Sequence, residues 1–235
     1  MNHNAYDALA PYYVEYARSR AAYCESVDSR LLDWLPPRID AMLDVGTGDG
    51  SRAVRLAKAM SAARLVLSDP SHPMVELCRG HHVSDIWHCR AEELPADRGT
   101  FDIVTCLWNV LGAIGSAAGR LEALRRMGAL ISADGRLYID VHNRYNIATA
   151  GVARVAARMW RDLVRPSDSN GEIDVLWNVA GQQISSRGYL FTRREMSELV
   201  LAAGLRVVHG TYIDYDTGAV RGPWTGQMVF CLQRA

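Results

Sequence analysis

Residues 42–50, MLDVGTGDG, decide the fold, because a short apolar run ends there in three glycines just before a helical pattern begins. The next stretch, GSRAVRLAKAM (50–60), predicts a helix with one apolar face, formed by Ala53, Leu56, Ala57 and Met60. A strand, a glycine-rich turn and a helix in this order are typical of open α/β proteins that hold a nucleotide-like cofactor. Taken alone, the stretch also fits an ordinary tight turn between a strand and a helix.

Strands continue to alternate with helices up to residue 141, which predicts a parallel sheet with helices on both faces. The strands are predicted at 41–46, 64–69, 85–90, 101–108 and 136–141, the last after a turn at 133–135. Helices are predicted at 5–17, 25–35, 50–60, 72–80 and 117–131.

The alternation stops between residues 143 and 190. Residues 143–163 have a helical pattern, and residues 173–191 favour two antiparallel strands. A helix over 192–204 begins with a capping box at Thr192 and Glu195. Closing strands are predicted at 205–214 and 227–234.

The composition narrows the range of functions. The 235 residues carry 26 basic (Lys and Arg) and 26 acidic side chains, and this balance disfavours nucleic acid as a partner, because phosphate binding needs a basic excess. The five cysteines form no C-x-x-C pair, which favours reduced thiols and a cytoplasmic location. The first residues lack a signal-peptide pattern, and no stretch predicts a membrane span.

The glycine loop departs from the dinucleotide fingerprint. G-x-G-x-x-G requires a third glycine at position 51, where this chain has Ser51. Asp44, two residues before Gly46, would repel a pyrophosphate but would suit a cofactor that carries an ammonium and a sulfonium. Asp69 ends the second strand, where a carboxylate can accept hydrogen bonds from ribose hydroxyls. This feature fits both kinds of cofactor, the one with a pyrophosphate and the one with an ammonium and a sulfonium.

Three further blocks follow in order: LSDPSHPMVELCR (67–79), AEELPADRGTFDIV (91–104) and LISADGRLYIDV (130–141). With these blocks the sequence resembles the class I S-adenosylmethionine-dependent methyltransferases, over residues 40–141 and again over 188–205. The resemblance implies S-adenosyl-L-methionine as cofactor and S-adenosyl-L-homocysteine as product.

The resemblance also implies a fold and its organisation. The expected fold is a Rossmann-like, doubly wound α/β domain with a mostly parallel, seven-stranded sheet whose last strand is antiparallel. A single domain spans 1–235. Its expected parts are a helical lid (1–37), a cofactor-binding core (38–142), an inserted substrate cap (143–190) and a C-terminal helix with closing strands (191–235).

The family's cofactor residues carry over position by position. The residues implied are Tyr12, Tyr13 and Arg20 in the lid, Asp44, Gly46 and Gly48 at the methionine part, Asp69 and Pro70 at the ribose, Ala91 and Glu92 at the adenine, and Asn109 at the methionine end beside the substrate. The sequence departs from the family at Arg90, where an aspartate is common, at Asp134-Gly135, where two glycines are common, and at Gly112 or Ala113, where a histidine is common.

Catalytic and substrate residues are expected at the carboxyl ends of the strands, where open parallel sheets bind their ligands. His142, directly after the fifth strand, is the candidate base by position and by its ordinary pKa. The candidate substrate residues are Arg144, Tyr145, Tyr212 and Trp224. Each also has a simpler explanation: a histidine bonded to loop backbone, a solvated arginine, or a hairpin with polar turns.

A metal site is not expected. The window CRGHHVSDIWHC (78–89) is rich in cysteine and histidine but has no zinc-type spacing, and neighbouring strand residues point to opposite faces.

The sequence favours methyl transfer to nitrogen or oxygen of a small molecule such as a secondary metabolite. An RNA or protein methyltransferase is the alternative, although the Asn/Asp-Pro-Pro-aromatic motif of base-modifying enzymes is absent from WNVLG (108–112). A non-catalytic cofactor-binding module stays open, and a nicotinamide oxidoreductase is disfavoured by the glycine spacing. The sequence gives no indication of the oligomeric state.

Overall fold

The computed structural model describes residues 3–179 and 181–235. Met1 and Asn2 of the predicted lid, and Ala180 within the predicted strand pair, lie outside the described residues. No helix within the described residues has the length and apolar content needed to span a bilayer.

Helices flank the sheet along most of the described chain. They are α1 (His3–Leu9), α2 (Tyr13–Arg18), α3 (Ala21–Asp33), α4 (Ser51–Ala59), α5 (His72–Cys78), α6 (Val110–Ala113), α7 (Ala117–Leu130), α8 (Ile147–Ala150), α9 (Val152–Val164) and α10 (Arg193–Ala202). Short 3₁₀ turns lie at Ala10–Tyr12, Ala91–Glu93 and Asp168–Gly171.

The strands form one large sheet and one separate hairpin. They are β1 (Ala41–Val45), β2 (Arg64–Ser68), β3 (Asp85–Trp87), β4 (Phe101–Cys106), β5 (Ile131–Val141), β6 (Glu172–Val179), β7 (Gln182–Tyr189), β8 (Leu205–Ile213), β9 (Val220–Arg221) and β10 (Gln227–Arg234). The large sheet has the order β3-β2-β1-β4-β5-β10-β8-β9, and β6 pairs with β7 alone.

The topology confirms the predicted Rossmann-like fold. Strands β1 to β5 pair in parallel, and β10 runs antiparallel to both β5 and β8. Beyond the seven predicted strands, the two-residue β9 extends the edge, because the chain after β8 folds back and Arg221 pairs with Tyr212. The reversal of strand order between β1 and β4 places the glycine loop at the site where such sheets bind their ligands.

The predicted turn at 133–135 is wrong, since these residues belong to β5. Phe101 pairs with Ile131 and Ile103 with Arg136, so β5 advances five positions while β4 advances two. The extra residues form an irregularity within the strand. Gly135 allows it, because a Cβ there would lie 2.9 Å from the Phe101 carbonyl oxygen.

Several predicted helices begin or break differently from the sequence pattern. The helix expected at 5–17 is divided into α1 and α2 by the 3₁₀ turn around Pro11, whose nitrogen has no hydrogen to donate. The helix expected at 143–163 begins only after Asn146, whose side chain caps α8, and Gly151 with φ of 80° separates α8 from α9. The capping box of Thr192 and Glu195 is confirmed at the start of α10.

The buried apolar side chains form two large clusters, and most buried apolar side chains of the sheet belong to one or the other. A third, smaller cluster lies where α1 packs against the β6–β7 hairpin, and its buried members are Ala5, Leu9, Trp177, Val179 and Ile184. We call this third cluster the roof cluster. It joins the start of the chain to the segment between β5 and α10 above the carboxyl ends of the strands.

Candidate functional site

A cavity lies at the carboxyl ends of β1, β4 and β5. The glycine loop after β1 and the segment after β4 form its floor, and α1, α2 and the β6–β7 hairpin cover it. Six aromatic rings contribute to its wall: Tyr6, Tyr13, Tyr16, Trp108, Trp177 and Tyr215. We call it the aromatic cavity.

The glycine loop approaches the cavity in a conformation that a side chain would disrupt. Gly46 and Gly48 have φ of 71° and 62°, in the left-handed region where glycine is favoured. A Cβ at Gly46 would come within 2.5 Å of Val110, and one at Gly48 would meet the ring of Tyr13. The bare backbone therefore forms the cavity wall here, as expected of a loop that holds a cofactor.

Asp69 lines the cavity beside this loop. Its carboxylate accepts hydrogen bonds from the backbone N–H groups of Gly48 and Ser71, both at 2.9 Å. Burial raises the pKa of Asp69 to about 6, and the two N–H bonds oppose that rise. Pro70 follows it in the cavity wall.

Asp44 lies beneath the cavity, outside its wall. It is buried, and the Thr105 hydroxyl donates to its carboxylate at 2.5 Å. Burial raises the pKa of Asp44, and the Thr105 bond counteracts part of the effect. A contact from Asp44 to a bound molecule would have to be indirect.

At the adenine end predicted from the sequence, Ala91 lines the cavity and Glu92 does not. Glu92 is half-buried, and its Oε2 has no hydrogen-bond partner among the described residues.

The structure separates the three predicted lid residues. Tyr13 lines the aromatic cavity, whereas Tyr12 packs against the roof cluster. Arg20 forms an ion pair with Asp216 at 2.5 Å, and its guanidinium lies 4.6 Å from the centre of the Tyr215 ring. Tyr12 and Arg20 are therefore held away from the cavity wall by other contacts.

The segment after β4 is fixed to the end of β5. Trp108 and Asn109 both have positive φ, of 63° and 58°. The backbone N–H of Trp108 donates to the Asp140 carboxylate at 2.5 Å, and the backbone N–H of His142 donates to Asn109 Oδ1 at 3.0 Å. Asp140 also accepts a bond from the Tyr23 hydroxyl at 2.7 Å. These bonds fix Asn109 and His142 side by side in the cavity wall.

His142 is the predicted base, and its imidazole lines the aromatic cavity. Its Nε2 is buried and has no hydrogen-bond partner among the described residues. Burial, and to a smaller degree the charge of Arg20, lowers the pKa of His142 to about 4. The ring packs edge-on against Tyr215 at 5.0 Å. At neutral pH the imidazole is therefore uncharged and can accept a hydrogen bond.

The four predicted substrate residues do not line the aromatic cavity. Arg144 is buried and bonds to Asp162, Tyr189 and Glu195, so its donors hold the fold together. The other three also have structural contacts: the Tyr145 hydroxyl donates to Asp162 at 2.7 Å, Trp224 stacks on Tyr145 at 6.4 Å, and Tyr212 pairs with Met228 within the sheet.

Sequence reasoning missed the part of the cavity wall that the β6–β7 hairpin and Trp108 supply. Trp177, Ser186 and Arg187 enter the cavity from the β6–β7 hairpin, and Trp108 enters from the segment after β4. Tyr16 stacks on Trp108 with ring centres 5.1 Å apart. The N-terminal helices carry several tyrosines, but nothing in the sequence pairs them with a hairpin more than 150 residues away.

Comparisons with known proteins agree with the fold. A family model described as a methyltransferase domain matches residues 13–210. The chain is similar in fold to an S-adenosylmethionine-dependent methyltransferase from Clostridium acetobutylicum, with a TM-score of 0.68 at 10% identity over 98% of this chain and 99% of that one. No curated protein sequence matches the chain.

Two further solved structures have the same fold. An amino pentose methyltransferase from Micromonospora echinaspora, solved with S-adenosylmethionine bound, has a TM-score of 0.61 at 18% identity, over 95% of this chain and 96% of that one. A 1,6-didemethyltoxoflavin-N1-methyltransferase from Burkholderia thailandensis has a TM-score of 0.61 at 18% identity, over 99% of this chain and 87% of that one.

Proposed function

The chain belongs to the methyltransferase domain family and is an S-adenosylmethionine-dependent methyltransferase, and on that premise we propose that it methylates a nitrogen or oxygen atom of a small molecule. The observation that carries the proposal is the aromatic cavity itself. It is covered by α1, α2 and the β6–β7 hairpin, so it accommodates a compact molecule better than a polymer. Two of the solved methyltransferases with this fold are named for small acceptors, an amino pentose and 1,6-didemethyltoxoflavin.

The residues of the cavity floor fit the cofactor. Gly46 and Gly48 present bare backbone, and the space beside them would be closed by any side chain. Asp69 retains free lone pairs in the cavity wall and can accept hydrogen bonds from the two ribose hydroxyls. We assign Pro70 and Ala91 to the same binding surface, with Tyr13 over the glycine loop. When bound, S-adenosylmethionine supplies an activated methyl group on a sulfonium, which a nucleophile displaces in line.

His142 and Asn109 are the residues we assign to the acceptor end. The uncharged Nε2 of His142 accepts a hydrogen bond from the acceptor's O–H or N–H group and takes up its proton as the new bond forms. The hydrogen bond from the His142 backbone N–H to Asn109 Oδ1 keeps the two residues side by side. His142 is thus the base and positions the acceptor at the same time.

We assign the covering segments a role in excluding water. Residues 1–37 act as a lid and residues 143–190 as a substrate cap, held together by the roof cluster. Closure over the aromatic cavity aligns the acceptor and removes competing water, which is the main contribution a protein makes when the cofactor is already activated.

Labelled methyl transfer tests the proposal. The protein is incubated with methyl-labelled S-adenosylmethionine and three groups of acceptors: small amines and phenols, total RNA, and a protein extract. We expect label in at least one small acceptor and none above background in the polymers. Label found only in RNA or protein would refute the small-molecule assignment and support the alternative.

A further inference from the structure

A second cavity adjoins the aromatic cavity. The two share three wall residues, Ala113, Arg187 and Gly188. The second cavity lies between α6, the start of α7 and the base of the β6–β7 hairpin. A molecule bound in the aromatic cavity therefore needs only a short extension to reach it.

Arg120 lines the second cavity and is 5% exposed. Its Nη1 donates to the Ile114 carbonyl at 3.0 Å, and its guanidinium lies 3.8 Å from the centre of the Tyr189 ring. Its Nε is buried without a hydrogen-bond partner, and no carboxylate of the described residues lies within ion-pair distance. Burial lowers the pKa of Arg120, but an arginine remains charged in proteins.

A buried cation without a counter-charge is costly and is usually paired. Glu195, Glu172 and Asp168 act on Arg120 only from beyond ion-pair distance. The protein therefore keeps a buried positive charge at the wall of an open cavity, with donor capacity unused.

Arg187 adds a second guanidinium at the junction of the two cavities. It is exposed, and no ion pair of the described residues involves it. Glu172 also lines the second cavity, but it is exposed and its charge is screened by water. Two guanidinium groups against one carboxylate leave this cavity with a net positive charge.

We propose that the acceptor carries a carboxylate, which binds in the second cavity between Arg120 and Arg187. Its aromatic or apolar body lies in the aromatic cavity, with the methylated atom toward His142. The inference rests on the proposed function and narrows its substrate class to small organic acids. Arginine suits this role because its planar guanidinium matches the geometry of a carboxylate.

Matched pairs of acids and amides test the inference. Benzoate, phenylacetate and 3-phenylpropanoate are each compared with the corresponding primary amide, which has the same shape without the charge. Binding to the protein saturated with S-adenosylhomocysteine is measured by calorimetry. We expect at least one acid to bind about tenfold or more tightly than its amide, since a charge-assisted hydrogen bond is lost in the amide.

Variants locate the effect. Arg187→Gln should reduce the preference for the acid severalfold without changing the melting temperature, because the side chain is exposed. Arg120→Gln should abolish the preference, and Arg120→Lys should restore part of it. Arg193→Gln, at an exposed arginine of α10 that lines neither cavity, is the control and should keep the full preference.

Equal binding of acids and amides, failure of every acid to bind, or an unchanged preference in both Arg120→Gln and Arg187→Gln would overturn the inference. The proposed function has a separate outcome. Neutral small acceptors that are methylated while acids are not preferred would leave the function standing and remove only the carboxylate. Methylation confined to RNA or protein would remove the function itself.

Discussion

The raised pKa of Asp69 predicts that cofactor affinity falls in mildly acidic solution. Asp69 has a pKa of about 6 against an ordinary value of 3.8. At about 1.4 kcal/mol for each tenfold change, keeping this buried carboxylate charged at pH 7 costs the free protein about 3 kcal/mol. The pKa of Asp69 is higher in the folded protein than in the unfolded chain, so protonation of Asp69 stabilises the folded state. This stabilisation is present below about pH 4 and is lost as the pH rises through 6.

Ribose hydroxyls that donate to Asp69 favour the charged form, so the pKa in the complex moves back toward the ordinary value. Cofactor binding then releases a proton between about pH 4 and 6, and affinity weakens as pH falls through that window. A full return of the pKa to the ordinary value of 3.8 makes the Kd at pH 5 about tenfold higher than at pH 7.5. Above pH 7 the Kd is constant.

Calorimetric titration of S-adenosylhomocysteine at pH 5, 6, 7 and 8 measures this dependence. Asp69→Asn should bind weakly and with no dependence on pH. His88 also acts on the Asp69 charge, so His88→Gln is the matched control and should retain the dependence. A Kd that is constant from pH 5 to 8 in the native protein, or that still varies in Asp69→Asn, would refute the reasoning.

Three further changes have distinct readouts. His142→Gln should lower kcat about 100-fold or more while the Kd for S-adenosylhomocysteine stays within about twofold, and an unchanged kcat would remove His142 from the chemistry. Gly48→Ala should weaken cofactor binding about tenfold or more, because a Cβ would meet the ring of Tyr13. Gly151→Ala is the control for backbone strain alone, since Gly151 also has positive φ but has open space around it. Arg144→Met should reduce the free energy of unfolding by about 3–5 kcal/mol, because two acidic partners lose their cation. Denaturant unfolding measures this change, and a loss of less than about 1 kcal/mol would contradict a structural role.

The part of the cavity that we assign to the cofactor could be predicted because its determinants are local. The positive φ at Gly46 and Gly48 follows from a tight turn after β1, and Asp69 reaches the same edge because β1 and β2 pair in parallel with the register Val45 to Ser68. Periodicity alone gives these strands, and parallel pairing gives their common edge.

The part of the cavity that we assign to the acceptor depends on contacts between distant parts of the chain, which periodicity does not encode. Trp177 and Arg187 reach the cavity only because the β6–β7 hairpin packs on α1. Arg144 looked available for a substrate because its partner Glu195 lies in another element. The capping box that placed Glu195 at the start of α10 fixed a carboxylate there, but only the packing of α10 beside Arg144 shows that the two meet.

The roof cluster has a consequence for how the enzyme cycles. Helix α1 contacts both ends of the aromatic cavity. Asp7 accepts a hydrogen bond from Ser71, two residues after Asp69, and Leu9 packs with the hairpin that bears Trp177. Opening wide enough to release the product must therefore break contacts at the nucleoside end and at the acceptor end together. We therefore expect the residence time of the product and the choice of acceptor to be coupled through α1. A substitution that widens the roof for a bulkier acceptor should also shorten product retention, so an evolved broadening of specificity would be accompanied by faster turnover and weaker product inhibition.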